Sequence, residues 1–175
     1  MSTPSNLESS YAAHHATHGR YGYSYRLEER GPRFATWIGT GQRVLDLGCR
    51  DGSLTCFYVS GNTVTGVDID QDALALAREQ LGVETAWLDL NCTPFAFADG
   101  SFTAVVAGEL LEHLVHPTAV VKEAWRILTP GGVFLGSVPN RHPGKPARQN
   151  APQRMVGKCT LGQCELEHGI IAPQY

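Results

Sequence analysis

The sequence predicts an α/β protein built on a doubly wound, mostly parallel sheet. Three observations lead there. Five short apolar runs, Arg43 to Leu47, Thr63 to Val67, Val83 to Leu88, Phe102 to Ala107 and Val133 to Val138, have the character of buried strands. Stretches of helical periodicity stand between several of them, and strand–helix alternation implies βαβ units with right-handed crossovers. The first run ends directly in a glycine-bounded turn, Gly48 to Gly52. Ligands of such sheets bind at the carboxyl ends of the strands.

Taken in order, residues 1–40 read as an N-terminal arm and helix, 41–140 as a ligand-binding core and 141–175 as an irregular tail. The arm interleaves Tyr11, His14, His15, His18, Tyr21, Tyr23 and Tyr25 with polar residues. Leu27 to Ile38 predicts a short helix stopped at Gly39, with Pro32 working against it. Ser53 to Val59 predicts a helix ended near Gly61. Asp72 to Leu81 predicts another, with Leu74, Ala77 and Leu81 on one face. Residues 91–101 read as a loop punctuated by Pro94 and Asp99-Gly100. Thr118 to Leu128 shows the clearest helical pattern: Val121, Ala124, Trp125 and Leu128 form its apolar face, and Pro130-Gly131-Gly132 stops it.

Composition narrows the partners. A chain of 175 residues with 42% hydrophobic content suits one domain with one core. A net charge of −3 argues against a general nucleic-acid surface. No apolar run approaches the roughly 20 residues a membrane helix needs, and Met1 to Ser10 is polar, so a soluble cytoplasmic protein is expected. Cys49, Cys56, Cys92, Cys159 and Cys164 make an odd number and read as free thiols. Cys159, Cys164 and His168 alone have faint metal spacing, without an evident fourth ligand, so no metal is expected.

The chemistry concentrates at two strand ends. After the first strand, the glycine turn lets backbone approach a ligand closely, and the expected helix behind it offers free N–H groups. The spacing is not G-x-G-x-x-G, because position 50 is Arg, which weakens a dinucleotide reading. At the end of the second strand, Val67-Asp68-Ile69-Asp70 places an acid 22 residues after Asp46. An acid about 20 residues past the turn suits a ribose diol, which favours Asp68. Asp70 and Asp72 read instead as helix caps.

These segments together resemble the class I S-adenosylmethionine-dependent methyltransferases of the small-molecule group. Val44 to Gly52 (VLDLGCRDG) resembles the family's first motif, and Val67 to Asp70 the acidic second motif. Trp87 to Leu90 resembles the third-strand motif, Phe95 to Phe102 the segment entering strand four, Gly108 to Leu114 the E-x-L-E-H motif, and Arg126 to Gly132 the turn into strand five. The resemblance implies a Rossmann-like fold, S-adenosyl-L-methionine as cofactor, and methyl transfer to a small-molecule acceptor. It also implies roles. Asp46, Gly48 and Gly52 shape the pocket beside the methionine moiety; Asp68 holds the ribose; Ile69 packs on the adenine; Asp89 and the Leu90 backbone read the adenine amino group. Glu109 and Leu110 line the sulfonium side, and Glu112 and His113 are general-base candidates, with His113 otherwise a structural residue. The arm either closes over the cofactor, its aromatics near the sulfonium, or packs on the core.

Two departures stand out. Arg50 replaces the family's glycine: if that site needs a positive φ, Arg is strained there, and its guanidinium either reaches the cofactor's carboxylate or faces solvent. The family's sheet has seven strands ordered 3-2-1-4-5-7-6, whereas five are legible here, so the C-terminal strands are expected to be missing. Residues 141–175 hold five Lys/Arg against two Asp/Glu, a charge of +3, while residues 1–140 carry −6. Only Glu167 to Ala172 in that tail suggests a strand. A bare fifth strand offers an edge for homodimer pairing. These departures leave an alternative function: a degenerate, catalytically weak protein that binds S-adenosylmethionine or S-adenosylhomocysteine.

Overall fold

The structure is a computed structural model that describes residues 9–10, 13, 21–22, 26–138, 155–160 and 163–167. In chain order the elements are α1 (Leu27–Ile38), β1 (Arg43–Leu47), β2 (Thr63–Asp68), α2 (Gln71–Leu81), β3 (Glu84–Trp87), β4 (Phe102–Gly108), α3 (Pro117–Ile127), β5 (Leu128–Val138), β6 (Met155–Thr160) and β7 (Gln163–Glu167). They form one sheet ordered β3-β2-β1-β4-β5-β6-β7. The first five strands pair in parallel, and β6 and β7 add antiparallel outside β5. The predicted Rossmann-like α/β fold is therefore the one formed.

Period-2 alternation sorts the strand residues onto two faces, and both are buried. Leu45 and Leu47 of β1, with Val105 and Ala107 of β4, join the cluster that takes Val120, Ala124 and Ile127 from α3. Val44 of β1, with Ala104 and Val106 of β4, joins the opposite cluster, which takes Phe34 and Ile38 from α1 and Ala77 from α2. Pro32 lies inside α1. It removes one intrahelical donor, and the buried stripe of Arg30, Phe34 and Ile38 holds the helix against the sheet nonetheless. Arg126 near the end of α3 ties down the loop entering β4: it donates to the Phe95 and Phe97 carbonyls at 3.0 and 2.9 Å and pairs with Asp99 at 2.5 Å.

Three expectations are corrected. The helix predicted for Ser53 to Val59 is only a 3-10 turn, Thr55–Phe57. Thr55, Phe57, Tyr58 and Val59 are β-branched or aromatic residues of modest helix propensity, and Asp51 captures both the amide and the hydroxyl of Ser53. The tail is not irregular throughout, since β6 and β7 lie within it, earlier than the suggested strand at 167–172. They form a simple meander, so no strand is inserted between β5 and its outer neighbour as in the order 3-2-1-4-5-7-6. With β6 on its far side, β5 has no bare edge, and the reason for a dimer through it disappears.

The parallel registers align the strand tips. Leu47 stands beside Val67 and beside Ala107, and Asp68 beside Trp87. Gly52 lies just past this edge with φ +80°, and a Cβ there would stand 2.5 Å from Leu81 Cδ1 of α2. Gly52→Ala should therefore lower stability by about 2 kcal/mol through the left-handed backbone and the overpacked contact, read as a reduced midpoint in urea unfolding.

Candidate cofactor and active site

The turn after β1 is built from left-handed residues: Gly48 at φ 69°, Arg50 at 51° and Gly52 at 80°. The predicted strain at Arg50 is present. This path turns the Gly48 and Cys49 amides back onto the Val67 carbonyl of β2, at 2.8 and 3.1 Å. The Arg50 amide reaches further and donates to Asp68 Oδ2 at 2.9 Å, while the Asp70 amide donates to Asp68 Oδ1 at 2.9 Å. In place of the free N–H groups expected from a following helix, the turn has amides committed to the Val67 carbonyl and to Asp68. Asp68 is held by backbone amides on both oxygens. Asp70 does what was expected of a cap, accepting the Asp72 and Ala73 amides at 3.1 Å each at the start of α2.

Asp46 sits differently from its expected place. As the residue between Leu45 and Leu47 it points to the α1–α2 face, is 2% exposed, and accepts from Thr55 Oγ1 at 2.6 Å and Tyr58 OH at 2.5 Å. It shapes the turn from beneath. Burial raises its carboxyl to about 6, partly opposed by the two hydroxyl donors. Cys49 is also interior, its thiol pushed far up by burial; its Sγ fills the space where a Cβ on Gly66 would lie.

The other tips complete the edge. Ile69 is buried, and its carbonyl accepts the Trp87 indole N–H at 3.0 Å. Asp89 organises the loop after β3 by accepting the Asn91 amide at 2.9 Å, and Leu90 is buried below it. Glu109 follows β4 in a left-handed conformation, φ 59°, with its amide on the Ser137 carbonyl at 2.9 Å. Leu110 leans over the first turn: a Cβ on Gly48 would stand 3.0 Å from its Cδ1. Gly48, Asp68, Ile69, Asp89, Leu90, Glu109 and Leu110 are therefore brought to one edge, on neighbouring tips. Glu112 and His113 lie one turn on, in the 3-10 segment Leu111–His113. They are exposed, with His113 Nε2 3.8 Å from Glu112 Oε1.

Three residues of this edge escaped the sequence reading. Arg30 of α1 is 3% exposed, donates to Ser137 Oγ at 3.1 Å and lies 3.9 Å from Glu109 Oε1. Its only sequence signal was its place four residues before Phe34 on the apolar stripe, where a buried arginine demands polar partners. Ser137 gave no signal. Asp51, inside the first motif, is buried; burial raises its carboxyl, but Ser53, the Gly22 amide and Arg50 together hold it below the ordinary value. Within the arm, Tyr21 OH donates to Asp70 Oδ2 at 3.3 Å and the Gly22 amide to Asp51 Oδ2. Tyr11, His14, His15, His18, Tyr23 and Tyr25 lie outside the described residues, as does His168. Among the described residues, no group of three or more His, Cys, Asp or Glu could hold a metal ion.

The residues fit S-adenosylmethionine. Positive φ at three turn positions brings backbone, not side chains, to the ligand edge. A carboxylate at the tip of β2 suits a ribose diol, and the apolar Ile69 and Leu90 suit an adenine. The buried Asp46 gives this edge a pH signature. Its folded form binds a proton more tightly than an unfolded Asp, so ionisation lowers stability as the pH rises from about 4 to about 6. The loss, on the order of 3 kcal/mol, is complete above that window. Wild type minus Asp46→Asn, compared by urea unfolding across this range, should show that slope, and no slope above pH 7.

The comparisons agree with the geometry. The family described as a methyltransferase domain matches residues 45–136, from β1 into β5. The ubiquinone biosynthesis O-methyltransferase of Pseudomonas putida is 34% identical over 127 residues, covering 67% of this chain and 55% of the relative. The chain thus spans about half the length of the curated relatives it matches. Among solved structures, a protein of Pyrococcus horikoshii shares the fold with a TM-score of 0.63 at 24% identity, over 82% of this chain and 77% of that one. An S-adenosylmethionine-dependent methyltransferase of Mesorhizobium loti does so with a TM-score of 0.57 at 24% identity, over 65% and 56%. With the matched stretch spanning both ligand-facing motifs and the sheet that carries them, the chain belongs to the class I S-adenosylmethionine-dependent methyltransferase family.

Proposed function

We propose that the chain binds S-adenosylmethionine at the tips of β1 to β4 and carries out methyl transfer to a small-molecule acceptor. The observation that carries the reading is Asp68: a carboxylate fixed by the Arg50 and Asp70 amides at the tip of β2, beside a left-handed turn. In this reading Asp68 holds the ribose hydroxyls. Ile69 and Leu90 flank the adenine, and Asp89 with the Leu90 backbone reads its amino group. Gly48 and Gly52 leave room for the methionine end, over which Arg50 and Arg30 supply positive charge. Glu109 and Leu110 border the reacting side.

The cofactor supplies a sulfonium methyl group. The chain's part is mostly to hold two reactants in line. A proton must leave the acceptor only if its nucleophile is protonated, and Glu112 or His113, exposed beside the β4 tip, would take it. The names of the curated relatives point to oxygen as the acceptor atom to try first.

Calorimetric titration with S-adenosylhomocysteine tests the cofactor site. We expect saturable one-site binding, weakened ten- to a hundredfold in Asp68→Asn and further in Asp68→Ala, as for a lost charge-assisted hydrogen bond. A folded wild-type chain that does not bind would sink the proposal. Binding by wild type followed by turnover with small hydroxyl acceptors, reduced in Glu112→Gln or His113→Asn, would carry it through to catalysis.

A further inference from the structure

Asn91 joins two loops of the ligand edge that are distant in sequence. Toward the loop after β3, its backbone amide donates to Asp89 Oδ1 at 2.9 Å and its Nδ2 donates to the same oxygen at 3.2 Å. Toward the loop before α3, its Oδ1 accepts the Val115 amide at 2.9 Å, 24 residues along the chain. The orientation of the carboxamide is forced. The Val115 N–H must face the oxygen, so the NH2 must face the carboxylate. An aspartate here would keep the acceptor and lose the donor.

The second loop carries Glu112 and His113. It starts at Glu109, whose amide is held by the Ser137 carbonyl at 2.9 Å. It then passes through the 3-10 segment Leu111–His113, where the His113 amide donates to the Leu110 carbonyl at 2.9 Å. Leu110, Leu111 and Leu114 pack on the core beneath, and Glu112 and His113 stand outward. The Val115 side chain is 71% exposed, so its amide on Asn91, not packing, fixes this end of the segment. The segment is therefore pinned at both ends, and the second pin leads to Asp89.

We propose that Asn91 is a positioning residue that sets Glu112 and His113 against the adenine side of the cofactor site by way of Asp89. The inference rests on the cofactor reading above, in which Asp89 receives the adenine amino group. An Asp89 oxygen already fixed by Asn91 loses less freedom when the adenine arrives, so the ligand binds more tightly with the bridge made. Such coupling is reciprocal: the bound ligand must strengthen the bridge by the same factor. Adenine recognition and placement of the proton-accepting groups are then one event, and those groups are steadied when the methyl donor is present.

Hydrogen exchange of the Val115 amide reads the bridge in the full chain, with and without S-adenosylhomocysteine. In wild type the ligand should slow this exchange by roughly fivefold or more. Asn91→Ala removes both halves of the side-chain bridge. Its Val115 exchange should rise in the free chain, the ligand should slow it by about twofold or less, and affinity should fall by about the factor lost. Asn91→Asp keeps the acceptor and loses the donor. Val115 should stay protected there without ligand, and the effect of the ligand should disappear. Urea midpoints report folding, and if Asn91→Ala does not fold, wild type and Asn91→Asp decide. A side chain that merely steadies two loops would leave the wild-type ratio of free to bound exchange intact in both variants. That outcome, or binding that leaves Val115 exchange unchanged in wild type, overturns the positioning role and leaves the cofactor reading standing. A folded wild-type chain with no affinity for S-adenosylhomocysteine overturns both.

Discussion

One carboxylate organises the ligand edge. Asp68 accepts an amide from the turn after β1 and another from the entry to α2, so two separate strand ends are fixed by a single side chain. Asp68 is 8% exposed, and in such surroundings a charge-assisted hydrogen bond is stronger than in water. The turn that carries the Arg50 amide passes through left-handed residues at 48, 50 and 52. Next to Asp68 in the chain, the Ile69 carbonyl accepts the Trp87 indole N–H, and at the start of the turn Leu110 stands over Gly48.

Much of this was legible in the chain itself. Strand positions of β1, β2 and β4 follow from short apolar or β-branched runs, and the acid at the β2 tip from its distance past the glycine turn. The capping role of Asp70 follows from its place before a helical period. What was not legible has physical causes. Ser53 to Val59 carries apolar residues at helical spacing, but the captured Ser53 and the branched and aromatic residues behind it stop at one 3-10 turn. Asp46 looks like a pocket residue by motif, yet strand parity turns it to the α1–α2 face. Arg30 could not be recognised because a cation on an apolar stripe is explained only by partners distant in sequence, Ser137 and Glu109.

Buried polar groups are concentrated where the fold meets its ligand edge. Asp46, Asp51, Asp68, Asp70, Arg30 and Ser137 are all buried and lie at or beneath the tips of β1, β2, β4 and β5. Apolar side chains would pack such positions at less desolvation cost. Their hydrogen bonds give the edge a single arrangement, and three of them run between segments far apart in sequence: Arg30 to Ser137, Gly22 to Asp51, Tyr21 to Asp70. The same spacing explains why they are hard to read from sequence, which reports neighbours along the chain far better than neighbours in space.

The outer meander separates two jobs within one sheet. Every residue of the ligand edge comes from α1, the arm, or the ends of β1 to β5, while β6 and β7 are stacked beyond β5 by pairings between sequence neighbours. In the order with a strand inserted next to β5, the last strand must thread into a place between two strands already formed. Here each addition finds its partner already at the margin, and the hairpin joins by local contacts of low sequence separation, a class that forms quickly. Among the described residues, the C-terminal hairpin consequently meets those around Asp68 only by way of β5, where Ser137 stands opposite Val156.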